Sequence, residues 1–366
     1  MNAKVLRPLV VAAALALTGS SGTPAFADNT AAPYQQVAFI DLPSGSVPLK
    51  SFDISFVERS SQTYYLADRS NKAVDIFDAS SNTFETRLTG SPAFVGDTLN
   101  PDTSGPNGVV VVHDRDELWV GDGMSRVQVF DLRTNSWVAT IPTGTGATRA
   151  DEIAYDQKDK LILIANDADT PPFVTLIDTQ TRAIVAKITF ADATAGLEQP
   201  VWDPETQLFY MSVPEATTAP GGAVAVIDPR THMRVGLFPV QSCGPAGLAL
   251  GPKQQLLIGC GDPTAEQVMD ARTGSIVATI AQVSGADEVW YNPGDKHYYV
   301  TARNNPTGPV LGVIDAMTDK WIQNVTTGPG AHSVAANPIN DEIFVPLRPT
   351  ATHLLGGIGV YHQVSR

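Results

Sequence analysis

Residues that carry covalent and metal chemistry are scarce in this chain. Two cysteines and six histidines occur in 366 residues. The spacing of Cys243 and Cys260 fits neither a zinc knuckle nor a Cys-x-x-Cys-His haem site. There is no Gly-x-Ser-x-Gly, no His-Glu-x-x-His and no cysteine with an evident histidine partner, so the common signatures of serine, zinc and thiol hydrolases are missing. Basic residues are few as well: 24 against 38 acidic ones, a formal net charge of −14. A chain so acidic lacks the electrostatic footprint of a nucleic-acid binder, whose affinity comes largely from neutralising phosphates. After residue 17 no apolar run approaches the roughly 20 residues that a membrane helix needs, and no membrane span is expected.

The first residues are laid out as a secretory leader. Lys4 and Arg7 give a positive start, residues 9–17 an apolar stretch, and Ala25-Phe26-Ala27 a small-residue cleavage site. Residues 1–27 are therefore read as a signal peptide, 28–35 as a linker, and the protein as periplasmic or secreted. In that compartment a Cys243–Cys260 disulfide can persist, buried free thiols being the alternative.

What the chain does contain is a repeat. A β-rich run ending in Asp, a short turn usually with Thr or Ser, and a second β-rich run recur at Asp78, Asp131, Asp178, Asp228, Asp270 and Asp315, with a degenerate seventh copy at Tyr361. The steps of 42 to 53 residues match one four-stranded propeller blade. The second copy shows the whole unit: strand A over 108–112, B over 117–121, C over 126–130 and D over 136–141. The repeated Asp then falls in the C-to-D turn, where its side chain can hold backbone amides, which is turn chemistry rather than catalysis. Asp203-Pro204, Gly251-Pro252, Asn292-Pro293 and Asn337-Pro338 punctuate A-to-B turns. Trp202 and Trp290, at matching places before two of them, are read as packing between blades.

The seventh copy has strands for A (332–336), B (342–345) and C (357–361), and then the chain nearly ends. The orphan run 36–42 supplies the missing outer strand and closes the ring, leaving no open sheet edge. The expected fold is all-β: one seven-bladed β-propeller over 36–366 with four-stranded antiparallel blades, no helix beyond a turn or two, and a monomer. The phrase Tyr299-Val300-Thr301-Ala302, followed by Val313-Ile314-Asp315, resembles the YVTN-type β-propeller repeat family. The resemblance extends over nearly the whole chain after the leader; it implies the fold and names no activity.

In a propeller the segments leading into strand A and the B-to-C loops share one face, here the near face, around the mouth of the central channel. Two blades repeat a phrase there, Ala150-Asp151-Glu152-Ile153 and Ala286-Asp287-Glu288-Val289, three blades apart. Glu152 and Glu288 should therefore converge on the axis, where they hold a cation, share a proton or are spaced by water. With Asn107 and Glu198 they offer oxygen ligands suited to Ca²⁺ or Mg²⁺, and His332 would admit a transition metal; a wet acidic funnel without an ion is the alternative. Asp53, Arg69, Arg149, Arg348 and His353 map to the same face as candidate ligand-binding groups, the arginines suited to anions unless they pair with neighbouring acids.

An antiparallel register that sets Ala246 opposite Gly259 brings Cys243 and Cys260 together at the mouth of the fifth A–B hairpin, a geometry open to a disulfide. Two functions remain open from the residues alone. One is a non-catalytic exported propeller that binds a small molecule, glycan or protein through its loop-rich near face. The other is a metal-dependent hydrolase or lyase acting on a lactone or cyclic ester, with His332 as ligand or general base and Arg303 stabilising developing negative charge.

Overall fold

The structure, a computed structural model, describes residues 33–364 apart from Pro263. The expected leader over 1–27, with its expected cleavage site, and residues 28–32 of the expected linker lie outside the described residues. Seven four-stranded antiparallel sheets make up the fold. The only helical turns among the described residues are the 3-10 segments Pro101–Thr103 and Pro252–Gln254, and no described helix is long and apolar enough to cross a membrane.

Blade two runs Val109–Val112, Glu117–Asp122, Arg126–Asp131 and Ser136–Pro142, within a residue of the sequence reading at each end. The innermost strands of consecutive blades touch around the circle, the first against the seventh. The fold is a seven-bladed β-propeller.

All six repeated Asp residues do the turn work expected of them. Asp78 accepts from the amides of Ser80 and Ser81, Asp131 from Arg133 and Thr134, and Asp178 from Thr181. Asp228 accepts from Arg230, Asp270 from Arg272 and Thr273, and Asp315 from Met317 and Thr318. The Ser80 hydroxyl and amide hold the Asp78 carboxyl down at about 2. Each turn also carries one left-handed residue: Asn82, Asn135, Arg182, His232, Gly274 and Asp319 have φ between 51° and 72°. Each of these C–D pairs has a register shift at the same place, as between Ile76 and Phe77 or Val129 and Phe130. A left-handed residue with a bulge is the geometry of a short hairpin whose strands keep their twist. The Asp side chain fixes the loop that a glycine would otherwise favour.

Blade seven is assembled from both ends of the described chain. Its strands are Ala335–Ala336, Ile343–Leu347, Gly357–Gln363 and, outermost, Tyr34–Asp41. The closing strand begins at Tyr34, two residues before the expected boundary, and pairs with residues 357–363 from Tyr34↔Gln363 to Asp41↔Gly357. Gln323 of blade six holds the Tyr34 backbone on both sides, accepting from its amide at 2.8 Å and donating to its carbonyl at 2.9 Å. The Tyr34 hydroxyl meets His297 Nδ1 at 2.8 Å. Strand A of this blade is shorter than the expected 332–336, because His332 and Ser333 serve the near-face network described below.

Seven buried apolar clusters hold the ring, one at each interface between consecutive blades. The seam cluster joins Ile40, Leu42, Phe344 and Val360 to Val57, Tyr64 and Phe77 of blade one. Cys243 and Cys260 are fully buried in the cluster between blades four and five and form a disulfide across 17 residues of sequence. Pro245 pairs with Cys260 there, the register that the sequence indicates.

Two outcomes follow from this architecture. Removing the chain through Asp41 strips the buried Tyr34 and Ile40, each worth about 2 kcal/mol, and leaves the Gly357–Gln363 edge unpaired. The truncated protein is expected to melt lower and self-associate, read by thermal unfolding and size-exclusion chromatography; an unchanged melt would show that the strand is dispensable. Replacing both cysteines by serine should cost about 3 kcal/mol for a loop of this length, measured by denaturant unfolding in parallel with the reduced wild type.

Candidate functional site

Strand A begins with the same backbone pairing in five blades, and this sets the site. Asp151 N–H donates to Ala165 O and Ala165 N–H to Glu152 O; in blade six Asp287 and Glu288 make the same two bonds with Thr301. Glu198 and Gln199 repeat the pattern with Ser212, Asn107 and Gly108 with Gly121, and Asp53 and Ile54 with Ala67. Two tiers result: Asp53, Asn107, Asp151, Glu198 and Asp287 in the first, Ile54, Gly108, Glu152, Gln199 and Glu288 in the second.

First-tier acids are largely paired with arginine, Arg69 and Arg303 from B-to-C loops and Arg149 from the segment leading into strand A of blade three. The Arg69 guanidinium contacts the Asp53 carboxylate, donates to Asn107 Oδ1 from Nε at 3.0 Å and Nη2 at 2.7 Å, and lies 4.0 Å from Asp151. Arg149 bridges Asp151 at 2.6 Å and Asp167 at 2.8 Å. Burial disfavours charge on Arg149, yet Asp151 and Asp167 outweigh it and hold the guanidinium protonated. Arg303 meets Asp287 at 2.8 Å. Arg69, Arg149 and Arg303 thus resolve as ion-pair partners. Arg348 is exposed and makes no ion pair among the described residues.

The second-tier glutamates have no positive partner. Glu152 is 6% exposed, and among the described residues its carboxyl makes neither a hydrogen bond nor an ion pair. Glu288, also buried, accepts from Ser333 Oγ at 2.8 Å, and that hydroxyl lies 2.9 Å from Ser55 Oγ. Burial pushes both carboxyls well above the ordinary carboxylate range, with Glu288 adding to the effect on Glu152, and Asp53 and Asp287 to that on Glu288. Glu198, half-buried, is pushed up to about 8 by burial and by Asp287.

For a cation the available oxygens are therefore Glu152 and Glu288, with Glu198 near the mouth. Asn107 is differently committed: its Oδ1 receives Arg69, and its Nδ2 donates to Ser104 O and Ala150 O. No three His, Cys, Asp or Glu side chains among the described residues are arranged to hold a metal ion. His332 stacks on Phe52 at 4.5 Å, and its Nδ1 and Nε2 lie 2.6 and 3.2 Å from the carbonyls of Gly330 and Phe52. Burial lowers its pKa, and each ring nitrogen faces a backbone carbonyl oxygen rather than open space.

His353 lies elsewhere. It pairs with Asp41 at 2.8 Å and stacks on Phe39, both on the outermost strand of blade seven. Its loop is pinned there too, Gly356 O accepting from Leu42 N–H and Leu355 O from Leu49 N–H. That loop seals the closing strand.

Two cavities adjoin the tiers. A cleft of about 530 Å³ on the near face, between blades four and six, is lined by Glu198, Glu215, Asp262, Asp287, Arg303 and Asn304 over a glycine-rich floor. A Cβ on Gly221, whose φ is +97°, would come within 2.8 Å of the Ser242 amide, so backbone contact requires glycine there. The second, about 420 Å³, runs along the axis and is lined by Phe56, Tyr155, Trp202, Trp290 and Tyr291 with Glu152 and Gln199 at one end. Trp202 and Trp290 do pack against the clusters between blades as expected, but they also face the channel, Trp202 over Phe209 of its own blade at 4.9 Å and Trp290 edge-on to Phe56 at 5.6 Å. The alternation of strand A hinted at interior packing and gave no sign of this second role.

No family model matches the chain, and no curated protein matches it. Among solved structures, a chain of the "Crystal Structure of Mitotic Checkpoint Complex" aligns over 97% of this chain and 99% of its own length, with a TM-score of 0.68 and 13% identity. At that identity the likeness is one of fold.

The raised carboxyls have a measurable consequence. A carboxyl whose folded-state pKa is raised binds its proton more tightly in the native chain than in the unfolded one. Its contribution to stability is complete below about pH 4.5 and lost as pH rises through about 8 for Glu198. The melting temperature should therefore fall between pH 5 and 8, and Glu198→Gln should flatten that fall, as read by thermal melts across the range.

Proposed function

We propose that this protein is an exported ligand-binding propeller that takes a small molecule into the near-face cleft between blades four and six, without chemistry of its own. The observation that carries the reading is the cleft itself: a concave space of about 530 Å³ in which Glu198 has no ion-pair partner and a perturbed pKa. A pocket with a few convergent polar groups and a displaced titration is the usual form of a small-molecule site. Its acceptors, Glu198, Glu215 and Asp262, suit a ligand rich in hydroxyl donors, such as a polyol. The buried disulfide suits an oxidising compartment, in keeping with the leader-like residues 1–27, and the repeat's resemblance to YVTN-type propellers fits an exported scaffold. A hydrolytic role receives no such support, since His332, its proposed base, has both ring nitrogens against carbonyl oxygens.

Thermal-shift screening with polyols, sugars and sugar acids tests the reading. A true ligand at one hundred times its Kd stabilises by about 2.7 kcal/mol, and that shift should vanish in an Asp262→Asn, Arg303→Ala variant. A panel without any shift, or shifts untouched by the variant, would refute cleft binding.

A further inference from the structure

The axial cavity is distinct from the near-face cleft and has a chemistry of its own. Five aromatic side chains, Phe56, Tyr155, Trp202, Trp290 and Tyr291, come to it from four different blades, and no Lys or Arg lines it. Carboxyl groups stand at its two ends, Glu152 toward the near face and Glu58 toward the far face. Glu58 is half-buried and bonded to Ser60, whereas Glu152 is buried with its carboxyl unpartnered. Burial first, and then the neighbouring Glu288, Asp151, Glu198 and Asp53, push the pKa of the Glu152 carboxyl upward. His113, Gln157 and Pro204, at the far end, are exposed, so the cavity is entered from the A-to-B turns.

An apolar molecule alone would fill the rings but leave the Glu152 carboxyl without a partner. A hydrated metal ion would satisfy the carboxyl but waste the rings. One class of ligand satisfies both: ring faces attract cations through their quadrupoles, and a buried carboxyl gains most from a partner that excludes water. We propose that the central channel is a binding site for a small organic monocation, an ammonium group on an apolar or aromatic body, with the ammonium at Glu152 and the body against Trp202, Trp290 and Phe56. The cavity of about 420 Å³ falls within the range of small-ligand pockets, with ample room for an arylalkylamine. This site is independent of the near-face cleft and stands or falls apart from it.

Calorimetric titration of the full chain with 2-phenylethylamine, 2-phenylethanol and 3-phenylpropionate is the test, because the three probes share a body and differ in head-group charge. The amine should bind at least about tenfold more tightly than the alcohol, and the carboxylate not at all. Glu152→Gln, which removes a buried acid without changing shape, should erase the preference for the amine, and Trp202→Leu should weaken both amine and alcohol. The Asp262→Asn, Arg303→Ala cleft variant should bind the amine as the wild type does. Equal affinity for amine and alcohol would show a merely apolar channel. No binding by the amine, a preference that survives Glu152→Gln, or binding lost in the cleft variant alone would each overturn the proposal.

Discussion

Every blade of this protein is apolar on both faces, and that single constraint fixes the rest of the structure. A four-stranded sheet with two apolar faces needs a neighbour on each side, and an open row of such sheets would leave two faces in water. Only a closed ring gives each blade two partners, and the seven buried clusters, one per interface, are that solution. Closure depends on a strand from the far end of the sequence. Tyr34–Asp41 completes the seventh sheet, is clamped at Tyr34 by Gln323 and His297, and is covered at its other end by the loop that carries His353. The closing edge is thus hidden, and the ring has no free seam.

Closure has an electrostatic consequence at the axis. Seven inner strands point the same way, so whatever stands before strand A in each repeat is gathered into one small circle. Here that position is acidic in most blades, and the protein answers the repulsion in two ways. First-tier acids receive guanidinium groups, Asp53 from Arg69, Asp151 from Arg149 and Asp287 from Arg303. Second-tier Glu152 and Glu288 receive none and move toward the protonated form. Buried acids without partners reduce stability as pH rises, and positions of that kind are more often found where something binds than where nothing does.

Much of this architecture could be read from the chain. The Asp-and-turn phrase fixed the blade period, and its Asp residues cap their turns as turn chemistry requires. Residues 36–42 were recognisable as an orphan strand with a vacant place in blade seven, although Tyr34 and Gln35 belong to it as well. The pairing of Cys243 with Cys260 followed from the register of one hairpin. The expected roles of individual near-face residues were less secure. Asn107 turned out to serve Arg69, His353 the seam, and Trp202 and Trp290 the channel as well as the blade interfaces.

The division has a physical reason. Period, strand order, turn capping and the duplicated Ala-Asp-Glu phrase depend on contacts within one blade or between neighbours in sequence, and the sequence by itself determined them. Which acid meets which arginine, where a histidine's two nitrogens point, and how five aromatic rings from four blades come to line one cavity depend on the angle and height at which separate blades meet around the axis. Those distances are set by closure of the whole ring, so only the tertiary structure decided that Glu152 would stand unpaired at the end of an aromatic channel while Asp151, its neighbour in the chain, lies between two arginines.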